Sequence, residues 1–167
     1  MATRLGIAQV SQDDFKNGLG LSSAHVTTSG DLRLDPEFAV AGGPFSLRAQ
    51  AVALEIVRLL SSLAVSFVVE TSVVSDELLE ALRAGAARVL VVHVVAREAV
   101  IGDRLKARAA GGSLVARQLV AQFDRGELDP SIFKPSPRVG TVLQLDTSDH
   151  SEPNVGPIEA AVRTMLR

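Results

Sequence analysis

The feature that most constrains the fold is an apolar run at residues 88–95, which continues after its arginine as Val-Leu-Val-Val-His-Val-Val. A continuous run rich in β-branched residues is typical of a strand that is covered on both faces, as in a parallel sheet. Parallel strands need long crossover connections, which are usually helices. The run therefore predicts an α/β fold, provided that the rest of the chain supplies strands separated by helices.

The remaining sequence has that alternation. Shorter apolar runs predict strands at residues 7–10, 65–69 and 139–145, and stretches of helical period lie between them. The helices are predicted to begin near Phe45, Ser75, Arg97 and Ser113, with one more at the C-terminal end. Right-handed crossovers between such strands give a mostly parallel sheet with helices on both faces, in three layers.

Two helices have an apolar face that is expected to be buried, and two segments lack a regular pattern. Segment 17–44 is rich in Gly, Ser, Thr and Asp and is predicted to be a long irregular surface segment, while segment 127–138 holds three prolines and is predicted to be a loop. The expected inner face of the helix from Phe45 is formed by Val52, Ile56, Leu59, Leu60 and Leu63, and that of the C-terminal helix by Ile158, Val162, Met165 and Leu166.

Composition excludes several classes of protein. The 167 residues are 47% hydrophobic, which suits one domain spanning residues 1–167. The net charge is −2 and the basic residues are dispersed, so neither a nucleic-acid nor a membrane-surface partner is predicted. There is no cysteine, no secretory signal pattern and no apolar stretch of membrane-spanning length. These features predict a cytoplasmic protein without disulfides, with a small molecule as its partner.

In open parallel sheets, functional groups sit just beyond the carboxyl ends of the strands. That rule selects polar residues after each predicted strand: Asp13 and Asp14, Glu70 to Ser72, Ala96 and Arg97, and Asp146 to Asp149.

The order of these landmarks resembles the P-loop kinases. One strand ends in Asp-Asp-Phe-Lys, the next in Val-Val-Glu-Thr, a third leads into Asp-Arg-Leu-Lys-Ala-Arg, and the last ends in Leu-Asp-Thr-Ser. The sequence is most similar in kind to zeta-toxin-like and chloramphenicol-phosphotransferase-like proteins and to the small kinases grouped with AAA-type ATPases. The resemblance covers nearly the whole chain and implies a fold like that of P-loop nucleoside-triphosphate hydrolases, with ATP and Mg²⁺ as cofactors.

One part of that family pattern is missing from the sequence. The family's first strand runs into a G-x-x-x-x-G-K-[ST] loop, the Walker A motif, whose backbone N–H groups cradle phosphates. Here residues 2–7 look like the end of the following helix, and none of the lysines 16, 106 and 134 follows a glycine. The resemblance thus implies an N-terminally truncated domain whose first, central strand is missing. Either the start codon has been placed too far downstream, or the chain is a remnant or non-catalytic relative.

The resemblance assigns roles to two carboxylates. Asp13 occupies the place of the residue that accepts the acceptor's hydroxyl proton or helps to hold magnesium, and it is the predicted catalytic residue. Glu70 occupies the place of a Walker B-type acid, which acts through magnesium or a water molecule. Both are predicted metal ligands. The alternatives are that Asp13 and Asp14 cap the following turn and that Glu70 is a strand-end residue in water.

Basic residues are assigned to the two substrates. Asp14, Lys16 and Arg48 are predicted to bind the acceptor, the two cations by holding an anionic group. The Arg104-x-x-x-Arg108 pair resembles the arginines of a lid helix that close over phosphates, within a lid-like region at residues 97–138. Arg117 on the next helix is a further nucleotide-binding candidate. The alternative for these arginines is a solvated helix face.

Other patterns carry no function. The three histidines lack metal-ligand spacing, and Gly18-x-Gly20 has no strand before it, so neither a zinc site nor a dinucleotide fingerprint is predicted. The sequence therefore favours an ATP-dependent kinase of a small hydroxylated acceptor, incomplete as given. The alternative is a non-catalytic protein of the same fold that binds a ligand or a partner chain. With a central strand missing, that form is expected to dimerise or to be marginally stable.

Overall fold

The computed structural model describes residues 7–30, 32–39, 42–127, 133–140, 142–149 and 153–165. The strands are β1 (Ala8–Ser11), β2 (His25–Val26), β3 (Leu32–Arg33), β4 (Phe67–Glu70), β5 (Val91–Val95) and β6 (Val142–Asp146). The α-helices are α1 (Gln12–Ser22), α2 (Pro44–Ser62), α3 (Asp76–Ala84), α4 (Glu98–Ala110), α5 (Leu114–Asp124) and α6 (Gly156–Met165). Short 3₁₀ helices span Pro36–Ala39 and Pro137–Val139.

The strands associate in pairs. β1 is parallel to β4, with Ser11 opposite Glu70, and β5 is parallel to β6, with Val95 opposite Asp146. β2 and β3 form a small antiparallel hairpin. The predicted mixed α/β architecture with parallel strands is confirmed. The joining of the two parallel pairs into one three-layer sheet stays a prediction, because the described strands form separate two-stranded sheets.

The buried face of α2 differs from the expected one. After Phe45, small side chains at a spacing of four residues line it, whereas Val52, Leu59 and Leu63 are exposed and Ile56 and Leu60 are half-buried. Because α2 packs against both α1 and α3, small residues let the helix backbones approach closely, and the large side chains project beside the contacts. The prediction that these large residues form the inner face was therefore wrong. The buried residues of α2 are Phe45, Ala49, Ala53, Val57 and Ser61.

The segment at 17–44 is also more regular than its composition indicates. Its first part belongs to α1, whose N-cap Ser11 accepts a hydrogen bond from the backbone N–H of Asp14 at 3.4 Å. Gly20 is buried in α1, where a Cβ atom would lie 2.6 Å from Cδ2 of Phe38. Tertiary packing against Phe38 thus explains a glycine whose intrinsic helix propensity is poor.

The remaining local predictions have mixed outcomes. Ser75 caps α3 as predicted, and Ile158 is buried on α6, but Val94 in β5 is 58% exposed, so β5 is not covered along both faces. Leu166, residues 2–6 and residues 128–132 of the predicted loop lie outside the described residues. Among the helices that the structure describes, none is long and apolar enough to cross a membrane.

Candidate functional site

The first turn of α1 brings Asp13 to the carboxyl ends of β1 and β4. Although the residue is exposed as a whole, the surrounding protein partly desolvates its carboxyl group, and this raises the pKa of Asp13. The negative charges of Glu70 and Asp14 raise that pKa further, while the positive charges of Arg108 and Lys16 lower it. Asp13, Glu70, Lys16 and Arg108, which were predicted from separate parts of the sequence, are therefore electrostatically linked.

Glu70 is the exposed last residue of β4, and it has a polar partner on the neighbouring strand. Gln9 in β1 donates a hydrogen bond from Nε2 to Oε2 of Glu70 at 2.9 Å. Just beyond the strand ends, the Thr71 hydroxyl donates to Oε1 of Gln12 at 2.8 Å. The first bond joins β1 to β4, and the second joins the start of α1 to the residue after β4. Sequence reasoning did not identify either glutamine.

Lys16 is a buried cation with only 6% of its surface exposed. Its ammonium nitrogen lies 5.2 Å from the centre of the Phe38 ring, which in turn meets the Phe45 ring edge-on at 5.7 Å. Burial lowers the pKa of Lys16, and the charge of Asp13 raises it. The exposed Arg48 lies over the Phe45 ring at 5.6 Å, so the two rings stand between the two predicted acceptor-binding cations.

Arg104 and Arg108 lie one turn apart on α4 but have different partners. Arg104 donates from Nη1 to the hydroxyl of Thr147 at 2.8 Å and from Nη2 to its carbonyl oxygen at 2.5 Å. Arg108 is the residue whose charge reaches Asp13. The helix is therefore bonded to the turn after β6 through Arg104, while the charge of Arg108 acts on Asp13 beside β1.

The turn after β6 is hydrogen-bonded to the end of β5, the other strand of this parallel pair. Thr147 donates from its backbone N–H and its hydroxyl to the carbonyl oxygen of Val95, at 2.8 and 3.1 Å. The buried Ser148 accepts from the backbone N–H of Arg97 at 2.8 Å, and its own N–H donates to Oδ1 of Asp146 at 2.8 Å. Hydrogen bonding from the side chain of Ser148, and then from this N–H, lowers the pKa of Asp146. The strand-end rule had selected this turn, but its individual hydrogen bonds depend on tertiary placement.

Arg117 has a structural contact on the neighbouring helix. Its Nε donates to the carbonyl oxygen of Ala109 in the last turn of α4, at 3.3 Å. The same carbonyl oxygen also accepts from the backbone N–H of Gly112 at 3.2 Å, so Arg117 adds a second donor at the end of α4. The predicted nucleotide-binding role of Arg117 stays a prediction.

The carboxylates of the candidate site resemble a magnesium site in one respect. Across the described residues, no group of three or more His, Asp or Glu side chains is placed to hold a metal ion. Mg²⁺, however, is commonly held by one or two carboxylates together with phosphate oxygens and water. The charge of Glu70 acts on Asp13 and raises its pKa, and the two carboxylates fit that two-carboxylate pattern.

Comparison with known proteins gives one informative likeness. No protein-family model and no curated protein match the sequence. Among solved structures, the chain is similar to the crystal structure of a "putative kinase" from Chloroflexus aurantiacus J-10-fl, with a TM-score of 0.71 and 22% sequence identity. The match covers 99% of this chain and 88% of that chain. At this level of identity the likeness shows a shared fold.

Proposed function

We propose that this chain belongs to a phosphotransferase that moves a phosphoryl group from ATP, with Mg²⁺, to a hydroxyl group of a small acceptor. The observation that carries the proposal is the electrostatic linkage of Asp13, Glu70, Lys16 and Arg108 at the carboxyl ends of parallel strands. The fold shared with a protein described as a kinase supports it. Phosphoryl transfer needs little covalent chemistry from the protein, so an arrangement of acids and arginines is what such a site requires.

In this proposal Asp13 is the general base. A base works best when its pKa lies near the working pH, and both partial burial and the charge of Glu70 raise the pKa of Asp13 in that direction. Its carboxylate accepts the hydroxyl proton of the acceptor as the acceptor oxygen attacks the terminal phosphorus atom of ATP, and the bond from that phosphorus to the bridging oxygen breaks, so that ADP leaves. Asp14 and Arg48, which lie on α1 and near the start of α2, orient the acceptor.

The same proposal assigns residues to Mg²⁺ and to the phosphate of ATP. Glu70 would hold Mg²⁺, which would neutralise charge on the phosphoryl group, and a role of Asp13 as the second ligand is the alternative to its role as base. Arg108 contacts the transferring phosphate, where a guanidinium group offers paired N–H donors. Arg104 positions α4 through Thr147, and Arg117 supports the end of the same helix through Ala109.

The rival proposal is a non-catalytic binding protein of this fold, because the 167 residues contain no G-x-x-x-x-G-K-[ST] sequence. The backbone cradle and the lysine that such a loop supplies are therefore not provided by these residues. The reading frame immediately upstream of Met1 offers a direct check. An in-frame Gly-rich loop ending in Gly-Lys-Ser or Gly-Lys-Thr supports the kinase, and a frame without one supports the binding protein.

The functional test is ADP release from ATP and Mg²⁺ in the presence of a panel of small hydroxylated compounds, using the chain encoded by the complete reading frame. We expect one acceptor class to stimulate ADP release, and Asp13→Asn to lower that rate by about 10²- to 10⁴-fold. Glu55→Gln is the matched control, since Glu55 is an exposed acid paired with Arg58 on α2. Full activity of Asp13→Asn with every responsive acceptor would contradict the assigned role of Asp13.

A further inference from the structure

Helix α2 carries a second apolar face in addition to the one that it buries. Val52, Leu59 and Leu63 are 39%, 57% and 62% exposed, and Ile56 between them is half-buried. Their spacing places these four residues, called here the outer stripe, in one line along about three turns of the helix and its C-cap. Exposed apolar residues that occur singly are ordinary, but a contiguous line of them marks an interaction surface.

Packing within the chain uses a different side of α2. The helix packs against α1 and α3, and Val57 and Ser61 on its buried side are 0% and 5% exposed. At 3.6 residues per turn, Val57 points away from both Val52 and Leu59. The outer stripe repeats at the spacing by which two helices pack side by side along an apolar seam. A second helix is therefore the element that fits it.

We propose that the outer stripe is the contact surface of a homodimer, in which α2 packs antiparallel against α2 of a second copy of this chain about a two-fold axis. The inference goes beyond the proposed function and does not rest on it, because none of the four residues belongs to the carboxylate site.

The order of residues in the outer stripe is self-complementary. An axis that passes between residues 57 and 58 sets Val52 opposite Leu63 of the second copy and Ile56 opposite Leu59, and the two-fold symmetry repeats both pairs. A two-fold interface requires such a match, since the same patch must face itself. Antiparallel packing also sets the positive end of one helix dipole beside the negative end of the other. Apolar side chains thereby meet along the whole stripe.

Glu55 and Arg58 supply charge complementarity beside the outer stripe. The two exposed side chains form an ion pair on one side of α2. The antiparallel arrangement places Glu55 of each copy within one helical turn of Arg58 of the other. Parallel packing would instead set like charges level with each other, which disfavours that orientation. The charges therefore favour a second copy of α2 in the antiparallel orientation.

The first test is the oligomeric state of the 167-residue chain. Because the outer stripe is short, the dimer belongs with the small, reversible interfaces, and we expect sedimentation velocity to show the passage from monomer to dimer at roughly 1–100 μM. A chain that stays monomeric over that range overturns the proposal, and the stripe then serves a different occupant.

The second test locates the interface. Leu59→Lys puts a charge at the centre of the outer stripe, and we expect it to raise the dimer dissociation constant by about tenfold or more. Because Leu59 is 57% exposed, the fold should be kept, which circular dichroism checks. Val94→Lys, at a 58% exposed position of β5, is the control, since a dimer formed through the strands would respond to it. If Val94→Lys weakens the dimer and Leu59→Lys does not, the proposal is overturned.

The third test addresses the orientation of the two helices. Glu55→Arg alone and Arg58→Glu alone each bring like charges together across the interface, and each is expected to weaken the dimer several-fold. Mixing the two variants sets arginines of one chain against glutamates of the other. We expect a heterodimer of near wild-type affinity, although neither chain regains its internal ion pair. A mixture that associates no more tightly than the separate variants overturns the antiparallel dimer.

Discussion

Arg108 on α4 lowers the pKa of Asp13 on α1, although the two residues come from opposite halves of the chain. The same helix carries Arg104, which binds Thr147 at the end of β6. One helix therefore hydrogen-bonds the turn after β6 and acts through charge on Asp13, beside the ends of β1 and β4. Sequence spacing had assigned the two arginines one shared task, whereas the structure gives them different partners.

The first prediction separates these arginines. Arg104→Ala removes two hydrogen bonds to Thr147 and is expected to lower the free energy of unfolding by roughly 1 kcal/mol, because they lie at an exposed position. It should leave the Asp13 titration unchanged. Arg108→Ala is expected to raise the pKa of Asp13, because the opposing cation is gone. Chemical denaturation and carboxyl NMR measure the two effects. If Arg104→Ala shifts the Asp13 titration and Arg108→Ala does not, these separate roles of the two arginines are contradicted.

The second prediction concerns stability and pH. Because folding raises the pKa of Asp13 above its usual 3.8, the folded state favours the protonated carboxyl group. That stabilising contribution is present below pH 3.8 and is lost as the pH rises through the folded-state pKa. Asp13→Asn is therefore expected to raise the midpoint of thermal unfolding at pH 7 and to change it less in acid. Asp14→Asn removes a neighbouring charge from the same helical turn and is the control. A lower midpoint for Asp13→Asn than for Asp14→Asn at pH 7 would argue against this account.

Sequence patterns located the strand ends well. The edge that gathers Asp13 and Glu70 follows from the rule that parallel strands end at a common edge. The partners of these residues were not predictable. Gln9, which binds Glu70, and Thr147, which binds Arg104, depend on which strands pair and in which register.

Helix predictions failed where packing outweighs local preference. Gly18 and Gly20 indicated an irregular segment, yet α1 continues through both, since Gly20 is needed to admit Phe38. On α2 the stripe with Val52, Leu59 and Leu63 indicated the wrong face, because Ala49 and Ala53 allow two neighbouring helices to approach. In each case a small residue is selected by a contact that is distant in sequence, which periodicity does not reveal.

The third prediction concerns nucleotide binding by the 167-residue chain itself. Because these residues contain no Walker A sequence, they lack the N–H cradle and lysine that supply most contacts to the β- and γ-phosphates. We expect calorimetric titration with ATP and Mg²⁺ to give a dissociation constant weaker than micromolar. Micromolar binding that Arg108→Ala abolishes would show that the residues present form a sufficient phosphate site, contrary to this prediction.

The last prediction compares two glycines that have opposite surroundings. At Gly85, which follows α3, a Cβ atom would lie 3.0 Å from the backbone carbonyl carbon of Ser61 and closer still to its side chain. Gly85→Ala is expected to destabilise the fold by about 1–3 kcal/mol, because α2 and α3 must separate to admit the methyl group. At Gly18, inside α1, a Cβ atom meets nothing within 4 Å, so Gly18→Ala is expected to stabilise by roughly 0.5–1 kcal/mol through its better helix propensity. Urea denaturation measures both. If Gly18→Ala destabilised the chain, α1 would not be the regular helix on which the placement of Asp13 and Lys16 depends.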